Sequence, residues 1–176
     1  MNYVRDIPWG KADEITVIIE IPKGSNNKYE YSERGEYFKL DRSLYSAEFY
    51  PFDYGFMPQS REDDGDPLDI IVITSHPTFT GCMVKAKPIG LLKMEDENGI
   101  DVKIITVPIT KIDPRSDEIN DICDLPKHTK KEIEDFMKNY KRLEPHKWTK
   151  SEGFQNADKA KKFIKECVEE YKKELK

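Results

Sequence analysis

The sequence has too few cysteines, placed too far apart, for a disulfide framework or a zinc site. Cys82, Cys123 and Cys167 are the only cysteines among 176 residues, and no two of them form a C-x-x-C pair. Disulfide-rich secreted domains and structural zinc sites both need cysteines in even numbers or close pairs. We therefore expect three reduced thiols that pack as small apolar groups, as in a cytoplasmic protein.

Long apolar runs and an excess of positive charge are also missing. No stretch approaches the roughly 20 apolar residues that span a bilayer, and the first residues lack the apolar centre of a signal peptide. The chain has 29 Lys and Arg against 34 Asp and Glu, a net charge of -5. Nucleic acids and anionic membranes are normally bound by a basic face, so neither is an expected partner.

The composition predicts one folded domain. Nine glycines and eleven prolines are too few to indicate disorder, and apolar residues make up 37% of the chain. A chain of this length can bury a substantial core, and no internal repeat or flexible linker divides it. We expect a single domain over residues 1–176.

The first two thirds of the sequence favour strands. Short runs rich in Ile, Val and Thr, such as 15–19, 70–73 and 103–107, are separated by turns that contain Gly, Asn, Asp or Pro. Many short strands of this kind indicate a small barrel or sandwich.

The last third favours two helices. Apolar residues recur at helical spacing from Ile133 to Tyr140, after Pro126 and a Thr129-x-x-Glu132 pattern that predicts a capping box. A second apolar stripe, from 160 to 171, follows a predicted cap at Asn156. The fold class expected is α+β, with two amphipathic C-terminal helices on a β core.

An acidic turn is the most informative segment. Asp64, Asp66 and Asp69 place three carboxylates within six residues, just before a strand. The loop is not an EF-hand, because Asp69 occupies the position that would need glycine and Ser75 the position that would need glutamate. Taken alone, such a match is more often an acidic turn than a metal site.

A second group lies around the turn that follows Asp96. Strand alternation places the side chains of Asp101 and Lys103 on one face, with Ile105, so that a candidate metal ligand and a candidate phosphate-binding cation are neighbours. An ordinary solvated hairpin tip is the alternative.

A third mixed group completes the candidate site. Glu20 closes one predicted strand, and Lys28 and Glu30 share a face of the next. Further donors are found later in the chain: Arg42, Tyr50, Tyr54, Tyr140 and Lys141. Surface ion pairs and core tyrosines are the alternatives. Oxygen ligands combined with Lys, Arg and Tyr, without histidine, suit Mg²⁺ and phosphate rather than zinc or haem.

Several segments in one order resemble the family I soluble inorganic pyrophosphatases. The resemblance covers nearly the whole chain and rests on D-G-D-P-L-D at 64–69, F-Y-P-F-D-Y-G-F at 49–56, Gly90 to Asp96, D-x-K-I-I at 101–105, and Tyr140-Lys141 with Lys147-Trp148. It implies an OB-like five-stranded β-barrel with flanking helices, of the bacterial and archaeal type, which is commonly a homohexamer.

The resemblance also implies residue roles. Asp66 is expected to be the general base. Several Mg²⁺ ions are expected on six carboxylates: Asp64, Asp69, Asp101, Asp96, Glu20 and Glu30. The phosphates are expected to be bound by Lys28, Arg42, Tyr54, Lys103, Tyr140 and Lys141, with Tyr50 supporting the same pocket.

The expected function is Mg²⁺-dependent hydrolysis of pyrophosphate to two phosphates by water. No phosphoenzyme is needed, because phosphoryl transfer depends chiefly on charge neutralisation and in-line positioning. Two alternatives remain open at this stage: a broader phosphohydrolase that acts on nucleotides or polyphosphate, and a non-catalytic β-barrel module that binds cations or an oligonucleotide.

Overall fold

The structure, a computed structural model, describes residues 1–175; Lys176, the last residue of the expected domain, lies outside the described residues. In this described part of the chain, nine strands precede or separate two α-helices. The strands are β1 (Gly10–Lys11), β2 (Glu14–Ile21), β3 (Asn27–Ser32), β4 (Tyr37–Ser43), β5 (Asp53–Phe56), β6 (Asp69–Val72), β7 (Met83–Asp96), β8 (Gly99–Pro108) and β9 (Thr149–Asn156). The α-helices are α1 (Lys127–Asn139) and α2 (Ala157–Glu174), and two short 3-10 helices span Pro114–Ser116 and Ile122–Asp124.

Seven of the strands form one sheet in the order β1-β2-β5-β6-β8-β7-β9, and β3 and β4 form a separate hairpin. An additional pairing of β2 with β7 joins β2, β5, β6, β8 and β7 in a ring. The ring is uneven, because β7 and β8 pair over most of their length whereas β5 and β6 have four residues each. The α+β class is confirmed, and the ring falls short of a regular closed barrel.

Strand β2 is the most deeply buried strand segment of this ring. Its residues 15–19 are almost wholly buried, because β2 pairs with β5 and with β7 and has core on both faces. Such a strand reads as a continuous apolar run. Thr16 is tolerated there because its hydroxyl donates to the carbonyl of Pro8 at 2.8 Å.

Helix α1 packs on one side of the core. Ile133, Phe136 and Met137 enter an apolar cluster with residues of β5, β7 and β8. The predicted capping box at Thr129 is wrong: the helix begins at Lys127, after Pro126, and has no side-chain cap. Its first turn is closed by the Pro126 carbonyl, which accepts from the Lys130 N–H at 3.2 Å.

Helix α2 packs on the other side. Ala160, Ile164 and Cys167 are buried in a second cluster with β2, β6 and β8. The predicted cap is confirmed, since the Asn156 side chain accepts from the Lys159 N–H at 3.1 Å. Within residues 1–175, neither helix has the length and apolar character that crossing a membrane requires.

The three thiols are free. Only Cys167 is buried as a small apolar group, whereas Cys82 is half-buried and Cys123 is exposed. The expectation of apolar surroundings is confirmed for Cys167, which lies in the cluster beneath α2, and for Cys82, which packs against that cluster, but not for the exposed Cys123.

Candidate active site

A cavity of about 800 Å³ opens between the β3–β4 hairpin, the acidic turn before β6, and the ends of β7 and β8. It brings together residues that are far apart in sequence. Every predicted site residue except Tyr50 lines it: Glu20, Lys28, Glu30, Arg42, Tyr54, Asp64, Asp66, Asp69, Asp96, Asp101, Lys103, Tyr140 and Lys141.

The acidic turn is held by its own backbone. The Glu62 N–H donates to the Asp66 carbonyl at 2.9 Å, and the Gly65 N–H donates to the Glu62 carbonyl at 3.0 Å. Gly65 has a φ of 89°, which glycine adopts without steric cost. The turn leaves Asp64 and Asp66 exposed at the cavity.

Sheet register places Asp69 and Lys103 side by side. Strands β6 and β8 run parallel, with Ile70 opposite Ile104. The residues that precede these two, Asp69 on β6 and Lys103 on β8, are therefore also neighbours. Lys103 forms ion pairs with Asp69 and, at 2.5 Å, with Asp101. The predicted alternation in β8 is confirmed: Val102 and Ile104 enter the cluster beneath α2, and Ile105 enters the cluster beneath α1.

The charge of this lysine is stabilised by its neighbours. Burial alone would lower the pKa of Lys103, but Asp69, Tyr54 and Asp101 raise it well above its usual value. Burial also raises the pKa of Asp101, against the effect of Lys103. A cation held between two carboxylates therefore forms the floor of the cavity.

Glu62 is a site residue that the sequence interpretation missed. One carboxylate oxygen from each of Glu62, Asp69 and Asp101 lies within 4.8 Å of the others, a spacing that could hold a metal ion. Burial and, to a smaller extent, the charge of Asp69 raise the pKa of Glu62 to about 9. Asp64 is not in this group; its Oδ1 accepts from the Asp66 N–H at 2.9 Å. Nothing in the spacing around Glu62 distinguishes it from a surface residue.

The β3–β4 hairpin forms one wall of the cavity. Lys28 lies opposite Arg42 across the hairpin and forms ion pairs with Glu30 and, at 3.7 Å, with Asp41. Glu20, near the end of β2, accepts from the Tyr31 N–H at 2.6 Å. Burial raises the pKa of Glu20 to about 8.

A second wall is formed by the end of β7 and the segment after α1. Lys141 donates to Asp96 at 3.1 Å, and both side chains are largely buried. Burial would raise the pKa of Asp96, but the Asn98 N–H and Lys141 outweigh it and hold the pKa below its usual value. The Lys141 ammonium also lies 5.5 Å from the centre of the Tyr140 ring.

Tyr50 lies behind the cavity rather than on its surface. It is 2% exposed, and its ring centre is 4.7 Å from that of Phe136 and 5.8 Å from that of Tyr54. Burial raises the pKa of Tyr50 well above its usual value, so the phenol stays neutral. Its position is that of a core residue beneath Tyr54.

Each predicted phosphate-binding lysine thus pairs with a predicted metal ligand: Lys28 with Glu30, Lys103 with Asp69, and Lys141 with Asp96. Carboxylate oxygens are the ligands that Mg²⁺ and similar hard cations prefer, and lysines bind phosphate oxygens. The described residues fit a site that takes divalent cations and a phosphate compound together.

Comparison with known proteins identifies the family. A family model described as inorganic pyrophosphatase matches residues 17–172. The chain belongs to the inorganic pyrophosphatase family. The resemblance stated from the sequence is confirmed, and the chain is an enzyme of this family.

Curated relatives of the family cover almost the whole chain. The inorganic pyrophosphatase of Saccharolobus solfataricus is 48% identical over 166 residues, which are 94% of this chain and 96% of that protein. The inorganic pyrophosphatase of Nanoarchaeum equitans is 51% identical over 92% of this chain and 99% of its own length.

Solved structures of the family share the fold. The inorganic pyrophosphatase of Thermus thermophilus superposes with a TM-score of 0.94 at 41% identity, covering 98% of this chain and 99% of that one. The Helicobacter pylori inorganic pyrophosphatase gives a TM-score of 0.92 at 43% identity, with 95% and 99% covered. The arrangement of elements around the cavity is therefore that of a known enzyme family.

Proposed function

We propose that this protein hydrolyses inorganic pyrophosphate to two orthophosphates with Mg²⁺, and that Asp66 acts as the general base. The observation that supports this most is the cavity itself, where carboxylates and basic side chains from six strands and three loops converge. Relatives that cover nearly the whole chain bear the name inorganic pyrophosphatase.

Several Mg²⁺ ions are proposed as cofactors, and the donor set fits them. The oxygens of Glu62, Asp69 and Asp101 are the closest group, and Asp64, Asp96, Glu20 and Glu30 line the same cavity. Bound divalent cations would neutralise phosphate charge and lower the pKa of a nearby water. Cations bound by these carboxylates would bring positive charge into the cavity, so that a polyanion could enter an acidic protein.

Asp66 is proposed to accept a proton from the attacking water. Its side chain is exposed to the cavity, and within residues 1–175 no hydrogen bond or ion pair occupies its carboxylate. Burial, followed by the charges of Asp64 and Asp69, raises the pKa of Asp66. A free carboxylate with a raised pKa is a better proton acceptor than an ordinary aspartate.

The phosphates are proposed to be bound by basic and phenolic groups on the cavity surface. Arg42 supplies a planar set of N–H donors that suits phosphate oxygens. The remaining groups are Lys28, Tyr54, Lys103, Tyr140 and Lys141, with Tyr50 supporting Tyr54 from behind. Lysines freed from their carboxylate partners as cations bind would stabilise the departing phosphate.

We further propose that residues 1–176 are one domain, that the five-strand ring is an OB-like barrel, and that the protein is a cytoplasmic homohexamer. The shared fold of family structures supports the first two statements. No nucleic-acid or membrane partner is proposed, because the net charge is -5.

The function is tested by phosphate release from purified protein. We expect release from pyrophosphate with Mg²⁺ and none after chelation of the metal. ATP and tripolyphosphate, supplied under the same conditions, measure how broad the substrate range is. Equal rates on all three substrates would favour a broader phosphohydrolase, and no release from any of them would contradict the proposal.

Arg42→Ala should weaken pyrophosphate binding without affecting the metal. Because arginine contacts phosphate and repels cations, we expect a KM at least about 10-fold higher, a lower kcat, or both. Mg²⁺ affinity of the substrate-free protein, measured by calorimetry, should stay nearly unchanged. Loss of Mg²⁺ binding in this variant would instead make Arg42 a structural partner of the acidic groups.

A further inference from the structure

Glu144 is a buried carboxylate that lies outside the cavity and contacts two of its cations. It belongs to the segment between α1 and β9, and it is 6% exposed. Its own N–H donates to the Lys141 carbonyl at 2.8 Å, so its backbone is part of the wall that bears Lys141. A buried carboxylate is costly unless it is paired, which makes its partners informative.

The partners of Glu144 are Arg42 and Lys147. Arg42 donates to Oε1 through Nε at 2.9 Å and through Nη2 at 2.8 Å. Lys147 approaches Oε2 at 3.3 Å. Both cations line the cavity and Glu144 does not, so Glu144 reaches the site only through them.

The hydrogen bonds leave part of the guanidinium free. An arginine has five N–H groups, two of which are used by Glu144 and one, on Nη1, by Asp41. The other two N–H groups, one on Nη1 and one on Nη2, have no hydrogen-bond partner among residues 1–175. Because Nε and Nη2 are both fixed by one carboxylate, the plane of the guanidinium is fixed before any anion arrives.

We infer that Glu144 is a positioning residue for pyrophosphate: it orients Arg42 so that the free N–H groups of the guanidinium face the cavity. This inference rests on the proposed role of Arg42 as a phosphate ligand. A flexible arginine would lose conformational freedom on binding the anion, whereas a fixed one has lost it already on folding. Glu144 therefore reduces the net positive charge near the site but fixes the orientation of the Arg42 guanidinium.

Glu144→Gln should raise the KM for pyrophosphate about 10-fold while kcat changes by less than about threefold. The amide lacks the negative charge that holds Arg42. Its NH₂ group is a donor and cannot accept a hydrogen bond from whichever of Arg42 and Lys147 it faces. Mg²⁺ affinity in calorimetry should be unchanged. Glu152→Gln is the matched control, because Glu152 pairs with Lys93 on the outer strand pair β7–β9 and does not line the cavity; its KM should equal that of the unsubstituted protein.

A double-mutant cycle distinguishes orientation from general structure. If Glu144 acts through Arg42, Glu144→Gln should change the KM by less than about twofold when Arg42 is already alanine. An unchanged KM in the single variant Glu144→Gln, or the same increase with and without Arg42, would overturn the inference. Arg42→Ala alone tests the role of Arg42, so failure of the proposed function is recognised separately.

A second variant protects the test from loss of folding. Glu144→Asp keeps the charge but shortens the side chain by one methylene, so its carboxylate meets Arg42 less well. We expect a KM between those of the unsubstituted protein and Glu144→Gln, with thermal unfolding close to that of the unsubstituted protein. A normal KM in folded Glu144→Asp together with unfolded Glu144→Gln would show that Glu144 is structural only.

Discussion

Asp66→Asn is expected to lower kcat about 10²–10⁴-fold, the usual effect of removing a general base. The amide keeps the shape of the side chain but cannot accept the proton of the attacking water. The fold should be unaffected, because the turn at Asp66 is held by its backbone, whose carbonyl accepts from the Glu62 N–H. The measurement is the initial rate of phosphate release at saturating pyrophosphate and Mg²⁺.

Asp63→Asn provides the matched control for that experiment. Asp63 is an exposed carboxylate of the same turn and also lines the cavity, so its replacement removes one negative charge nearby without removing the proposed base. We expect kcat within a few-fold of the unsubstituted protein. Comparable losses in both variants, or nearly full activity in Asp66→Asn, would mean that the turn contributes charge rather than a proton acceptor.

Lys103→Met should destabilise the metal-free protein strongly and also impair turnover. Lys103 has a side chain only 5% exposed, and it neutralises Asp69 and Asp101. Removing one partner of a buried ion pair costs up to about 3–5 kcal/mol, because the other charge is left without compensation. For a chain of this size, that corresponds to a fall in Tm of about 10 °C in the presence of a chelator.

Mg²⁺ should restore much of that lost stability. Without Lys103, a divalent cation meets two unpaired carboxylates and no competing ammonium, so it should raise the Tm of Lys103→Met more than that of the unsubstituted protein. Lys93→Met is the control, because Lys93 forms a half-exposed ion pair with Glu152 that is worth at most about 1 kcal/mol. Equal Mg²⁺ stabilisation of all three proteins would contradict a shared role of Asp69 and Asp101 in metal binding.

Much of the fold could be predicted from local sequence patterns. The apolar stripes of α1 and α2, the cap at Asn156 and the face alternation in β8 depend on neighbours within a few residues, and the structure confirms them. The predicted cap at Thr129 is wrong because the helix already begins at Lys127, two residues earlier, with Pro126 at its N-cap position. How the strands pair, including the contact of β2 with β7, depends on residues that are about 70 positions apart.

The site residues were also predictable from local motifs, whereas their contacts depend on residues that are distant in sequence. Thirteen of the fourteen predicted residues line one cavity, because short motifs identify residue types that suit cations and phosphate. Tyr50, predicted to support the same pocket, lies in the core behind Tyr54, and an aromatic motif does not reveal which ring faces the cavity. Glu62 and Glu144 were missed, because each becomes part of the site only through partners distant in sequence, such as Asp101 for Glu62 and Arg42 for Glu144.

The sequence by itself determined which chemistry this protein can perform: its carboxylates, lysines, arginine and tyrosines suit metal ions and phosphate, and their order identifies the family. Only the tertiary structure decided which charges meet. The parallel register of β6 and β8 brings Lys103 against Asp69, and the segment after α1 brings Glu144 against Arg42. The physical reason is that electrostatic energy depends on distance and burial, and both are set by the packing of the whole chain.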